Sequence, residues 1–226
     1  MKVLFCIRTL GNPSFVITLS SLLSIIKGND DEFTLAVYDS SEESITRDFN
    51  VCAILRILVK KGWRIAVDFM EESNVGGLLY KALEVAKANY DYLFMLDDDV
   101  IPVGCTINNM LSLIDNKIHP FITGWEEQPY VDNTEDWVGE IGTICDTACA
   151  VFNMDIIKLE EVKELNEWDG GEFLMISKIL GKGHQDKSLL FYHLHDTSSK
   201  KRRWNNLANH WDFVYKAIQD GYRKGK

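Results

Sequence analysis

The sequence predicts an α/β protein built on a mostly parallel sheet flanked by helices. Two observations carry that expectation. From Lys2 to Leu96, short apolar runs rich in β-branched and aromatic residues alternate with longer stretches of helical period. Glycines fall where the helical stretches end, which is where a left-handed residue closes a helix. Alternation of this kind needs crossover connections, and so implies parallel strands with helices on both faces.

The elements follow in order. "KVLFCIRT" (2–9) reads as a buried strand, broken by "GNP" (11–13). Asn12 is placed to cap and Pro13 to open a helix through "SFVITLSSLLSII" (14–26), closed by Gly28. "FTLAVYDSS" (33–41) is a second strand ending in Asp39, and "VCAILRILVKKG" (51–62) a helix closed by Gly62. "WRIAVDFM" (63–70) is a third strand, "GGLLYKALEVAKANY" (76–90) a third helix, and "YDYLFML" (90–96) a fourth strand. Three acids follow, Asp97, Asp98 and Asp99, and then a turn at Ile101-Pro102. Beyond it, "TINNMLSLIDN" (106–116) predicts a helix, "HPFITGWE" (119–126) a strand and "QPYVDNTEDWVGEIG" (128–142) a polar, aromatic loop. "TACAVFNMDII" (147–157) predicts a strand running into a helix start. "GGEFLMISKILGKG" (170–183) predicts an amphipathic helix with a glycine stop, and "KSLLFYHLHD" (187–196) a last strand before the basic "SSKKRRW" (198–204).

At 226 residues with a 46% hydrophobic share, the chain is long enough for one domain with a sizeable core. A formal net charge of −10 argues against a broad electrostatic grip on nucleic acid. The five cysteines are irregularly spaced with no CxxC pair, the pattern of reduced thiols. No apolar run approaches the roughly 20 residues of a membrane span, and "VLFCI" is too short for a signal-peptide core. A soluble, cytoplasmic protein is expected.

In parallel sheets, ligands bind beyond the carboxyl ends of the strands. Arg8-Thr9, Asp39-Ser40, Ser73-Asn74 and Asp97 to Asp99 all fall at such ends, and so are expected to face one crevice. Three adjacent carboxylates need a counter-charge, and a hard divalent cation such as Mg2+ or Mn2+ supplies it. Strand alternation turns Asp97 and Asp99 to one side, where they can share a metal–phosphate site, and Asp98 to the other. His193 and His195 share one face of the last strand.

The stretch "ESNVGGLLYKALEVAKANYDYLFMLDDDVIP" resembles the nucleotide-sugar half of family-2-like glycosyltransferases of the GT-A fold, a Rossmann-like, mostly parallel sheet. Those enzymes carry an Asn-x-Gly segment, a helix, and an apolar strand ending in Asp-x-Asp. Asn74, Gly76, Asp97, Asp98 and Asp99 occupy those positions. The resemblance implies one GT-A domain over 1–226, with residues 1–125 binding the nucleotide-diphosphate sugar donor and 126–226 the acceptor, a glycan or other hydroxyl. It places Asp39, Arg8 and Thr9 at the nucleotide, with Asn74, Gly76, Asp97 and Asp98. It gives the metal to Asp99 and Asp97 with His193 or His195. One of Asp169 and Glu172 would be the base that deprotonates the acceptor, and the attack would invert the anomeric centre. Lys200, Lys201, Arg202 and Arg203 would close over the diphosphate. Trp125, Tyr130 and Trp137 are candidates to stack on a sugar.

Two other readings use the same residues. "FMLDDDVI" also resembles the nucleophile strand of haloacid-dehalogenase phosphatases, with Asp97 as phosphoryl acceptor and Asp99 as acid/base. That motif belongs on a first strand and is followed by a later acidic pair for Mg2+, whereas this chain has no later Asp-Asp pair. A non-catalytic sugar-nucleotide or glycan binder would keep the acids and lose the base.

Overall fold

The first strand shows why the sheet is buried on both faces. In a computed structural model, which describes residues 1–70, 75–116, 118–127, 148–167, 176, 179–181 and 183–193, strand β1 spans Lys2–Thr9. Val3, Phe5 and Ile7 enter one hydrophobic cluster, and Leu4 and Cys6 enter another on the opposite face. That is the two-sided burial of a central parallel strand.

Helix α1 covers Phe15–Ser21, a shorter span than the sequence predicts at both ends. It tightens into a 3-10 turn at Leu22–Ser24 and gives way to extended backbone at Ile25, before Gly28. The Ser20, Ser21 and Ser24 hydroxyls donate to the carbonyls of Val16, Thr18 and Ser21, at 2.6, 2.6 and 2.7 Å. Hydroxyls that bond back to the chain compete with regular helix. The Asn12 side chain, expected to cap, is instead drawn to Asp98.

Strand β2 (Glu32–Asp39) leads to α2 (Phe49–Lys60), whose Asp48 cap accepts from the Asn50 and Val51 amides at 2.7 and 3.1 Å. Gly62, at φ +82°, then turns the chain into β3 (Arg64–Phe69). Helix α3 (Val75–Asn89) returns it to β4 (Tyr92–Asp97). The four strands lie in the order β3-β2-β1-β4, all parallel, as the alternation predicts.

The second half adds β5 (Val100–Pro102), α4 (Thr106–Ile114), β6 (Phe121–Glu127), β7 (Cys149–Asn153), α5 (Leu159–Val162) and β8 (His184–His193). Among the described residues the sheet has eight strands, ordered β3-β2-β1-β4-β7-β6-β8-β5. β7 runs antiparallel to both β4 and β6, β6 pairs parallel with β8, and β5 pairs antiparallel with β8. Where the sequence predicts only a turn at Ile101-Pro102, the chain forms β5. The strand lies at the sheet edge, where a proline without an N–H is tolerated. The helix start expected after β7 is delayed to Leu159, because the Asn153 side chain accepts from the Asp155 amide at 3.0 Å and fixes a turn. Of the amphipathic helix expected at 170–183, Ile176, Ile179 and Leu180 are helical, and Gly181 leaves at φ +75°.

Residues Met1–Leu194 form one compact unit. Helices α1, α2 and α4 cover one face over Phe5, Phe33, Trp63 and Phe94, and α3 and α5 cover the other. The Phe5 ring stacks on Phe94 at 5.3 Å and meets Phe33 edge-on at 5.6 Å. Such pairs add about 0.5–1.5 kcal/mol each beyond their buried area.

At the other end of the sheet, the rings of His119 and His184 lie 5.2 Å apart. Burial, and then the neighbouring His184, hold His119 below its ordinary value of 6.5. The folded state thus prefers the neutral ring. Its contribution is complete above the unfolded value and lost as pH falls through the depressed folded value. Acidification from about pH 7.5 to about pH 5 should therefore lower Tm less in His119→Gln than in the parent chain. Equal pH profiles in thermal melts would show that the pair contributes nothing.

Candidate functional site

Parallel pairing puts the carboxyl ends of β1 to β4 on one edge, and the register says which residues meet there. Thr9 lies opposite Asp39, and Arg8 lies between Tyr38 and Asp97. Gly76 is buried in the first turn of α3, which enters from the same end of β3. Asn74, Asp169, Glu172, His195, Lys200, Lys201, Arg202, Arg203, Tyr130 and Trp137 lie outside the described residues. Trp125 is half-buried in β6, opposite Leu190 of β8.

The acid turn begins at Asp97, whose amide donates to the Ala148 carbonyl at 3.0 Å and so ties the end of β4 to the start of β7. The Asp98 carboxylate then turns to the loop after β1. It accepts from the Thr9 hydroxyl at 2.8 Å, the Leu10 amide at 3.1 Å and the Asn12 side-chain amide at 3.0 Å. Burial pushes its carboxyl above the ordinary range. The Thr9 and Asn12 hydrogen bonds pull it back, and the Asp99 charge raises it again. The Thr9 hydroxyl, fully buried, also accepts from the Gly11 amide at 3.0 Å. Asp98 and Thr9, expected at the nucleotide, thus direct these side-chain groups to the architecture of the loop.

Asp39 is organised in a similar way. It is fully buried and accepts from the Ser41 amide at 3.1 Å, the Ser41 hydroxyl and the Ile45 amide at 3.0 Å. Its carboxylate therefore shapes the loop after β2. The two loops touch at Gly11, where φ is +80° and an added Cβ would come within 2.8 Å of the Ser41 Cβ. Only glycine suits both the backbone angle and the approach.

Arg8 presents the complementary feature. Its Nε is buried with no hydrogen-bond partner among the described residues. An orphaned cationic donor near the carboxyl end of a strand fits an anionic or oxygen-rich ligand. On the far side of the turn, β5 pairs with β8 so that His193 lies opposite Val100, the residue after Asp99. The backbone of this candidate ligand is thus brought beside the acids. Among the described residues, no group of three or more His, Cys, Asp or Glu side chains is poised around a metal. The oxygen chemistry of the acid turn still suits Mg2+ or Mn2+, which bind through one or two carboxylates together with substrate phosphates and water.

Sequence reasoning missed Thr18 and Ser41. Thr18 is a fully buried residue of α1 whose hydroxyl is shared between the carbonyls of Asp98, at 3.0 Å, and Val100, at 2.8 Å. The available signal was a threonine on the apolar face of a helix, next to Leu19. Such a residue needs a polar partner.

No family profile and no curated protein sequence matches the chain. Solved structures do. Residues 1–349 of S. aureus TarS align with a TM-score of 0.61 at 14% identity, over 85% of this chain and 60% of that one. The mannosyltransferase PcManGT from Pyrobaculum calidifontis, solved with GDP-Man and Mn2+, aligns with a TM-score of 0.63 at 15% identity, over 96% of this chain and 64% of that one. TarS 1–349 in complex with UDP-GlcNAc aligns with a TM-score of 0.55 at 12% identity, over 87% and 57%. This chain therefore spans less than two thirds of the length of these neighbours.

The fold they share is the GT-A glycosyltransferase fold, a mixed α/β sheet flanked by helices, as the sequence predicts. The haloacid-dehalogenase reading expects the acids on a first strand, whereas here they follow β4. Among the described residues, no helix is long and apolar enough to cross a membrane.

The loop after β2 offers a direct stability test. Asp39→Ala would leave the buried Ser41 and Ile45 amides without their acceptor, at a cost of about 1–3 kcal/mol. Urea unfolding should register that loss. An unchanged midpoint would mean that the loop holds its shape without the carboxylate.

Proposed function

We propose that the protein is a glycosyltransferase that moves a sugar from a nucleotide-diphosphate donor to an acceptor hydroxyl, with inversion, in the presence of Mn2+ or Mg2+. The observation that carries this is the carboxyl edge of β1 to β4 in a GT-A fold. There, an acid turn anchored through Asp98 adjoins a half-buried Arg8 whose Nε is buried and has no hydrogen-bond partner among the described residues. GDP-Man with Mn2+ in one structural neighbour and UDP-GlcNAc in another support the same ligand class.

The roles divide along the edge. Asp39 and Thr9 shape the two loops that receive the nucleotide, with Asn74 and Gly76 at the start of α3. Arg8 meets an oxygen of the donor. Asp99 and Asp97, with His193 or His195, would hold the metal, which supplies Lewis-acid stabilisation of charge on the departing diphosphate. Lys200, Lys201, Arg202 and Arg203 add charge-assisted hydrogen bonds to the same group. Asp169 or Glu172 takes the acceptor proton. The whole chain acts as one domain, with its donor half at 1–125 and its acceptor half at 126–226. A cytoplasmic setting agrees with Cys6, Cys52, Cys105 and Cys149, none of which is in a disulfide.

EDTA should abolish transfer and Mn2+ should restore it. Asp99→Asn should lose the Mn2+-dependent part of nucleotide binding while keeping a native circular-dichroism spectrum. Full turnover in EDTA would remove the metal from the scheme.

A second test separates a transferase from a binder that merely holds sugar nucleotides. The base meets the acceptor proton and not the diphosphate, so its loss lowers turnover and spares donor affinity. Of Asp169→Asn and Glu172→Gln, one should lose about 10²–10⁴-fold in turnover with donor Kd unchanged. If both variants transfer at the parent rate, neither residue is the base.

A further inference from the structure

We propose that Thr18 is a positioning residue for the metal, acting through the backbone on either side of Asp99. This rests on the reading of Asp99 as a metal ligand given above. The residue comes from α1 and is fully buried. A threonine inside a helix ordinarily turns its hydroxyl to a carbonyl of the preceding turn. Thr18 instead reaches across to another element, donating toward the Asp98 carbonyl at 3.0 Å and the Val100 carbonyl at 2.8 Å. These two carbonyls bracket Asp99.

The bracket matters because of what the turn lacks. Asp98 and Asp99 sit between β4 and β5, outside the ladder pairing that fixes strand backbone. A buried carbonyl without a partner is costly, so the turn needs a donor from elsewhere. One hydroxyl proton shared between two carbonyls holds them close together. That sets the direction in which the intervening residue leaves the chain. The same turn is gripped at the Asp98 carboxylate by Thr9, Leu10 and Asn12. α1 follows that loop directly. Loop and helix thus hold Asp98 by its side chain and by its backbone, and Asp99 is the residue between the two fixed carbonyls.

A group that orients a metal ligand is typically worth about 10–100-fold in metal affinity. Thr18→Val keeps the shape and removes the hydroxyl, and Thr18→Ser keeps the hydroxyl and removes a methyl. Mn2+ is titrated into the full chain with UDP or with GDP, and the unbound ion is followed by its paramagnetic resonance signal. Nucleotide affinity in EDTA is measured in parallel. The expected result is Mn2+ binding weakened at least about tenfold in Thr18→Val, restored in Thr18→Ser, with nucleotide affinity in EDTA unchanged in both.

If Thr18→Val does not fold, Thr18→Ala removes the hydroxyl without pressing a methyl against the two carbonyls, and the same comparison applies. Parent-like Mn2+ affinity in a hydroxyl-less variant, even one with a lowered Tm, overturns the proposal and leaves Thr18 a structural residue. Absence of Mn2+ binding in the parent chain with either nucleotide overturns the metal reading itself.

Discussion

Three carboxylates in a row at the end of a buried strand repel one another, and the fold answers by giving the middle one a separate surrounding. Two unit charges 4 Å apart at the edge of a protein cost about 4 kcal/mol. Against this, Asp98 receives hydrogen bonds from Thr9, Leu10 and Asn12. A hydrogen bond to a charged group contributes roughly 1.5–3 kcal/mol, so three of them exceed one such repulsion. Burial outweighs that gain for the ionised form, which is why the Asp98 carboxyl still sits above its ordinary range. The turn is therefore held by an interaction between elements distant in sequence, and the β1 loop and α1 are placed by the same contact.

The position of this turn follows from the sheet. β4 ends the parallel run β3-β2-β1-β4, and its other neighbour, β7, runs the opposite way. The end of β4 thus borders the parallel β1-β2-β3 run on one side and the antiparallel β7 on the other. The short β5 continues from the turn and pairs with the end of β8, so that a histidine from late in the chain arrives beside the acids. Each half supplies residues to the border.

Much of this architecture was legible in the sequence. The first four strands and their helices have unambiguous periods, and parallel order then dictates which termini share an edge. The acids stood out because charge at the end of an apolar run has few structural explanations. Three features were not legible, each for a physical reason. β5 contains Pro102, and a proline after an acidic cluster reads as a turn unless the edge strand it joins is known. α1 ends early because its serines bond back to the helix, a choice fixed by rotamers and not by period. The side-chain engagements of Thr9, Asp39 and Asp98 depend on loop shape, which spacing does not specify. Those residues were correctly placed at the edge, but placement does not reveal whether a carboxylate faces a ligand or its own backbone.

That distinction changes how the edge transmits a perturbation. Asp39 accepts from Ser41, Ser41 abuts Gly11, Gly11 donates to Thr9, Thr9 donates to Asp98, and Thr18 holds the backbone around Asp99. The loop after β2 and the acid turn are thus joined by contiguous contacts, most of them buried. Residues in one such network do not contribute independently, since removing one member alters the geometry available to the next. A loss of donor affinity on altering Asp39 would therefore not identify Asp39 as a nucleotide contact. The coupling of that loss to a second change at Thr9 separates a direct contact from a displaced loop. A contact made only by Asp39 gives additive effects, and a shared loop gives effects that are not additive.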